Sequence, residues 1–162
     1  MTSILFRSLR DSLMRIAQSR PPNAVIGPGG SGAPDYLRRW YIIPRNRWFN
    51  IYLHEIRRDD DDRALHDHPW WNLSIILHGA YREHMPHGTR ILGAGPLADA
   101  RIAFRKATAA HRIAVLVGPV WSLFITGPRI REWGFHCPQG FVGWEKFTNS
   151  SDYGQIGKGC DQ

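Results

Sequence analysis

The chain has 162 residues, is 43% hydrophobic and 12% aromatic, and carries a formal net charge of +7. This length suits one domain with a real core, and the composition excludes a disordered chain. No apolar run reaches the roughly 20 residues that cross a bilayer. The first twenty residues, broken by Arg7, Arg10 and Arg15, lack the continuous apolar centre of a secretory signal. A cytoplasmic protein with no membrane partner is the expectation, with Cys137 and Cys160 as free thiols.

Taken in order, Ile4, Leu5, Leu9, Leu13, Ile16 and Ala17 fall near one helical face, with arginines opposite. One amphipathic helix is expected over about residues 3–19, packed on the domain or on a partner subunit. Residues 21–34, PPNAVIGPGGSGAP, have the composition of a loop or linker. Residues 1–50 carry eight arginines against two aspartates, so most of the positive charge lies in the N-terminal third. A solvated basic face is the plain reading. Nucleic acid, an acidic partner or an anionic substrate are the functional ones.

From Tyr36 the pattern changes. YLRRWYII, RWFNIYLHEI, WWNLSIIL, ARIAFRK, HRIAVLV and VWSLFIT are short, rich in β-branched and aromatic residues, and separated by turn residues. Many short strands without helices between them predict an antiparallel all-β sandwich or barrel. The expected division is a basic helix and linker over 1–34, a β-barrel over 35–150 and a tail over 151–162. RRDDDDR, residues 57–63, reads as a solvated charged turn.

The chemistry concentrates in RALHDHPWWNLSIILHGAY, residues 63–81. Alternate side chains of a strand share a face. An unbroken strand would therefore put His66, His68, Trp70, Asn72, Ser74, Ile76 and His78 on one side. His66 and His68 can converge on one ion, and imidazole suits iron, zinc, copper and nickel. His111, also at the head of an alternating run, is the best further ligand. Three histidines leave coordination positions open, as a catalytic metal requires.

HDHPWWNLSIILHG resembles the first signature of the cupin superfamily: His-x-His, three or four residues, Glu, six residues, Gly. His66 and His68 take the histidine places, Asn72 the glutamate place and Gly79 the glycine place, while the later cupin histidine matches His111. Asp60 stands where the signature has an earlier glycine, and Lys106 and Thr108 where the second signature has proline and glycine. The resemblance spans roughly residues 36–148 and extends to uncharacterised cupin-like proteins of bacteria and phages. It implies a double-stranded β-helix, or jelly roll, with a metal inside and a homodimer outside. With asparagine for glutamate it points to the three-histidine cupins, among them dioxygenases that use ferrous iron. Zinc, manganese, nickel and copper are the other divalent candidates. Asn72 would assist as a weak oxygen ligand or by orienting an imidazole.

Other residues complete the candidate site. His54 would line the pocket or add a fourth ligand. His78 is too far along the strand to share the ion, and His84 and His87 read as exposed turn residues. Residues 131–144, REWGFHCPQGFVGW, would close one end of the barrel, with His136 and Cys137 as weak zinc candidates and Cys137 as a small buried side chain. Trp121, Phe124, Arg129 and Arg131 are candidates for a pocket that takes an anionic substrate. No phosphate-binding Gly loop, Gly-x-Ser-x-Gly elbow or His-Glu-x-x-His helix is present. The expected function is a small-molecule metalloenzyme of dioxygenase type. The alternatives are a non-catalytic cupin that binds a ligand or partner, and a nucleic-acid-binding protein that uses its basic N-terminus.

Overall fold

The computed structural model describes residues 2–27, 34–60, 64–149 and 152–161. The expected N-terminal helix is α1, Thr2–Ser19. The strands that follow are β1 (Ala24–Ile26), β2 (Leu37–Tyr41), β3 (Asn50–Ile56), β4 (Leu65–His66), β5 (Asn72–Met85), β6 (Gly88–Gly93), β7 (Ile102–Arg105) and β8 (Arg112–Thr126). Then come β9 (Gly134–Cys137), β10 (Gly140–Gly143), a one-turn helix α2 (Trp144–Phe147), β11 (Thr148–Asn149) and β12 (Asp152–Ile156). All pairings between these strands are antiparallel.

The large sheet runs β1-β2-β3-β8-β5-β6, with β7 also paired to β5. A second sheet, β10-β9-β4, faces the first across the interior, and β11 pairs with β12. Two expectations change here. HRIAVLV and VWSLFIT are one strand, β8. And Ala24–Ile26, inside the expected linker, forms an edge strand on β2, while residues 28–33 lie outside the described residues.

The two faces of the large sheet do different work. Outward-facing Trp40, Leu53, Leu77 and Trp121 form one apolar cluster with Leu13 of α1, and Leu9, Ile16 and Ala17 pack against it. The Trp40 and Trp121 rings stack with centroids 5.5 Å apart. The amphipathic face of α1 is therefore spent on its own barrel. No helix among the described residues is long and apolar enough to cross a membrane. The inward face carries Leu37, Ile56, Ile76, Tyr81, Leu92, Ile113 and Val120.

The inward phase is not constant along the long strands. In β5, Asn72, Ser74 and Ile76 are buried, then His78 is exposed, then Tyr81 and Glu83 are buried. The β5–β8 register shifts three times between Ile76 and Tyr81, and the extra residues break alternation. One unbroken face from His66 to His78 was the expectation; instead His66 ends β4, β5 begins only at Asn72, and the bulge ends its inward run at Ile76. Gly79 sits in the bulge with φ +76°, and a Cβ there would lie 2.4 Å from the Val117 carbonyl oxygen. Neither constraint suits a side chain.

Cys137 and Cys160 form a disulfide, so the expectation of free thiols is corrected. The bond ties β9 to the C-terminal segment and encloses α2, whose Trp144 and Phe147 face the interior. A disulfide excludes Cys137 as a metal ligand. Disulfides persist in oxidising settings and are rare in reducing ones.

Gly79→Ala is expected to lower stability by at least about 2 kcal/mol, because it combines a left-handed backbone with a clash against main chain that cannot retreat. Urea unfolding followed by circular dichroism reads this directly. Cys160→Ser is expected to cost about 2–4 kcal/mol in the same measurement, for a closed loop of this length.

Candidate metal centre and cavity

His66 is the last residue of β4, His68 follows in the next turn, and His111 leads into β8. Backbone hydrogen bonds lock them together: His66 N to His111 O at 2.8 Å and His111 N to His66 O at 2.9 Å. His68 N donates to Ala107 O at 3.1 Å. One ring nitrogen from each of the three histidines lies within 4.8 Å of the others. The Nε2 atoms of His68 and His111 are 2.9 Å apart. Two nitrogens bound at about 2.1 Å to one ion, at right angles, would be about 3 Å apart, so this spacing fits shared coordination.

The residue between the two histidines has its own task. Asp67 is fully buried and accepts the Gly134 amide at 3.0 Å. Its other oxygen meets Arg131 Nη1 at 2.6 Å and His136 Nε2 at 3.3 Å. Asp67 thus pins the His-Asp-His segment to β9 while its neighbours point inward. His136 serves that tether and is not in the histidine cluster.

Behind His111 stands a group that the sequence reading missed. Glu83 is 1% exposed, and its Oε1 lies 2.7 Å from His111 Nδ1. A proton on Nδ1 would face this carboxylate and leave Nε2 with a free lone pair, as a metal-ligating imidazole requires. Burial opposes the charge of Glu83, but hydrogen bonds from His111 and Arg105 outweigh it and hold the carboxyl well below its usual range. Arg90 Nε adds a contact at 2.6 Å.

Arg105 organises the rest. Its Nε donates to Glu83, Nη1 to Ser74 Oγ at 2.9 Å and Asn72 Oδ1 at 3.2 Å, and Nη2 to the Tyr81 hydroxyl at 3.0 Å. Asn72 therefore sits behind the cavity wall, beside Thr126 and Arg105 in one cross-strand row, and reaches the histidines only through Arg105 and Glu83. A charged Glu and Arg at alternating positions of two apolar strands was the available signal. It was hidden because the bulge at Gly79 reverses which residues of YREHM face inward.

Burial, above all, lowers the pKa of His68 well below its ordinary value, and neighbouring His111 and His66 add to the effect. Burial also lowers His111 to about 4, against the upward pull of Glu83. Neutral imidazoles are the form that binds a metal. Asp60 approaches His66 Nδ1 at 3.7 Å, accepts the Ile113 amide at 2.7 Å and takes a hydrogen bond from the Tyr36 hydroxyl. So Asp60 is a wall residue rather than part of a solvated turn, while residues 61–63 lie outside the described residues.

The cluster opens on a cavity of about 360 Å³. Its walls are mainly aromatic and aliphatic, with Trp70, Phe124, Trp133, Phe135, Trp144 and Phe147 among them. His54 also lines it, where its Nε2 accepts a 2.8 Å hydrogen bond from Arg39 Nε and its ring stacks on Phe124 at 4.7 Å. Burial, then Arg39, pushes its pKa well below the ordinary value. His54 is a pocket residue and not a member of the cluster. The expected anion pocket is not assembled as written. Phe124 faces in, but Trp121 lies under α1, Arg129 pairs with Glu132 at the surface and Arg131 is held by Asp67. His78 and His87 are exposed and His84 is half-buried, all away from the cavity.

No family model matches the chain, and no curated protein does. Solved structures do match. DMSP lyase DddQ from Ruegeria pomeroyi aligns with a TM-score of 0.50 at 18% identity, over 70% of this chain and 58% of that one. KdgF from Halomonas sp. aligns at 0.46 and 13%, over 62% of this chain and 87% of that one. A Klebsiella pneumoniae protein described by its double-stranded β-helix domain aligns at 0.47 and 16%, over 66% and 87%. What this likeness carries is the fold.

In the metal-free chain, His54, His68 and His111 are neutral when folded and take up protons at acid pH once unfolded. Stability should therefore fall as pH drops below about 6.5, by about 1.4 kcal/mol per pH unit for each histidine. The His111 contribution levels off near pH 4. Denaturant titrations from pH 7 to pH 5 measure the slope. Glu83→Gln should weaken metal binding about 10- to 100-fold, read by competition with a chelating dye.

Proposed function

Taking the chain as a cupin, a double-stranded β-helix with a histidine cluster inside, we propose that it is a metal-dependent enzyme acting on a small molecule. The observation that carries this reading is the convergence of three imidazoles, His66, His68 and His111, at the wall of an apolar cavity. A divalent ion would supply an electrophilic binding point with open positions and, as ferrous iron, the redox capacity for a dioxygenase reaction.

The chain's own residues do the rest. Glu83 stands against His111 Nδ1 and would orient that ring as a ligand, and Arg105 neutralises Glu83 and holds its carboxylate in place. Asn72 and Ser74 hold Arg105 in its rotamer, so Asn72 acts as a positioning residue. Trp70 and Trp133 flank His68, with centroids 5.3 and 6.4 Å away, and give that side of the cluster an apolar wall. The donor set supports ferrous iron because it contributes no negative charge: an ion there keeps its full charge for substrate and dioxygen.

The nucleic-acid reading has less support. Arg10 pairs with Asp11, Arg15 bonds Ser12, Arg20 bonds the Tyr41 carbonyl and Arg38 pairs with Asp35, so much of the N-terminal basic charge is already engaged.

Metal content by mass spectrometry tests the proposal, on untagged wild type, His66→Ala and His111→Ala. About one transition metal per chain in wild type, lost in both variants, is the expected result, with oxygen uptake by the iron form as its sequel. No metal in wild type after anaerobic reconstitution with each ion would overturn it.

A further inference from the structure

We propose that Arg39, braced by His54, is the carboxylate-binding group of this cavity and that its ligand is a small monocarboxylic acid with an apolar, flat body. The inference deepens the reading of the cavity as a substrate site.

Arg39 projects from β2 onto the inner face, opposite His54 in the register, with Ser122 next in the same row. Its Nε is used, donated to His54 Nε2. Its guanidinium also lies over the Tyr52 ring, 4.7 Å from the centroid. Among the described residues no carboxylate pairs with it, and neither terminal nitrogen makes a hydrogen bond. Arg105, the other arginine lining the cavity, is the opposite case, with every nitrogen occupied and its charge cancelled by Glu83. Asp60 is the one carboxylate among the described lining residues, and it is committed to Tyr36 and to the Ile113 amide.

A half-buried guanidinium that lines an apolar cavity without a counter-charge bears a desolvation cost that no carboxylate offsets. Burial, chiefly, lowers the pKa of Arg39, which marks the same lack of compensation. The two free terminal nitrogens form a planar fork that matches both oxygens of one carboxylate. One such fork suits a single negative charge better than a phosphate dianion. His54 accepts from Nε and so turns the free edge of the fork away from itself, and Phe124, stacked on His54 and 6.4 Å from His68, continues the wall toward the histidine cluster. The surrounding aromatic walls favour a flat apolar body on the acid.

Matched probes test this on the full-length chain: benzoate and phenylacetate against benzamide and phenylacetamide, by isothermal titration calorimetry. Wild type should bind each acid at least about tenfold more tightly than its amide, with or without metal. Arg39→Gln should abolish the preference without changing metal content, and Arg39→Lys, which keeps the charge but not the fork, should retain part of it. Equal binding or no binding of acid and amide by wild type overturns the proposal and needs no variant. A preference that survives in a folded Arg39→Gln also overturns it. The metal-free arm separates the two readings: acid preference in a chain that takes no metal sinks the metalloenzyme and keeps Arg39, and the reverse pattern does the opposite.

Discussion

An ionised carboxylate buried in a β-barrel has to be surrounded by donors, and much of this molecule's interior is arranged around Glu83. Arg105, Arg90 and His111 all converge on it. A charged pair this deep gains little net stability over an apolar filling, but removing one partner is expensive, since the other is left uncompensated. The arrangement makes sense for what it fixes. It sets a carboxylate against His111 Nδ1, with the other ring nitrogen turned toward His68. Arg105, recruited to neutralise Glu83, in turn demands acceptors, and Asn72, Ser74 and Tyr81 provide them. One charge thus determines the identity of residues on β5, β7 and the head of β8.

The bulge at Gly79 is what allows this. With strict alternation from Asn72, residue 83 would point away from the cavity. The register shift places both Tyr81 and Glu83 inside and expels His78. The phase of β8 changes in step, with Ile113 facing in at one end and Ser122 and Phe124 at the other. The same geometry lets two long strands wrap the cavity rather than cross it flat.

The rest of the cavity reads as a division between used and unused charge. Burial keeps His68 and His111 neutral, Asp60 and Arg105 are spent on the protein, and Arg39 is not. The wall that completes the enclosure, from Trp133 to Phe147, is carried by the small sheet and α2. Asp67 at one end and the Cys137–Cys160 disulfide at the other hold it. The His-x-His spacing therefore has a structural and a chemical half: the outer residues face the cavity, and the middle one ties down its rim.

Local pattern was enough to mark the long strands and the amphipathic helix and to single out the three histidines, but not the short strands β1, β6, β9 and β10 or the continuity of β8. Period-2 apolar runs, a 3.6-period face and a His-x-His beside a second His-led strand are signals that short stretches carry by themselves. Asn72 was visible as the odd residue in a glutamate place, but its partner Arg105 lies 33 positions away and only strand pairing makes them neighbours. Glu83, Arg39, the inward face of β8 and the disulfide were decided by tertiary structure alone. Which side of a strand is inside depends on bulges and on pairing with distant segments, and one added residue reverses every side chain beyond it.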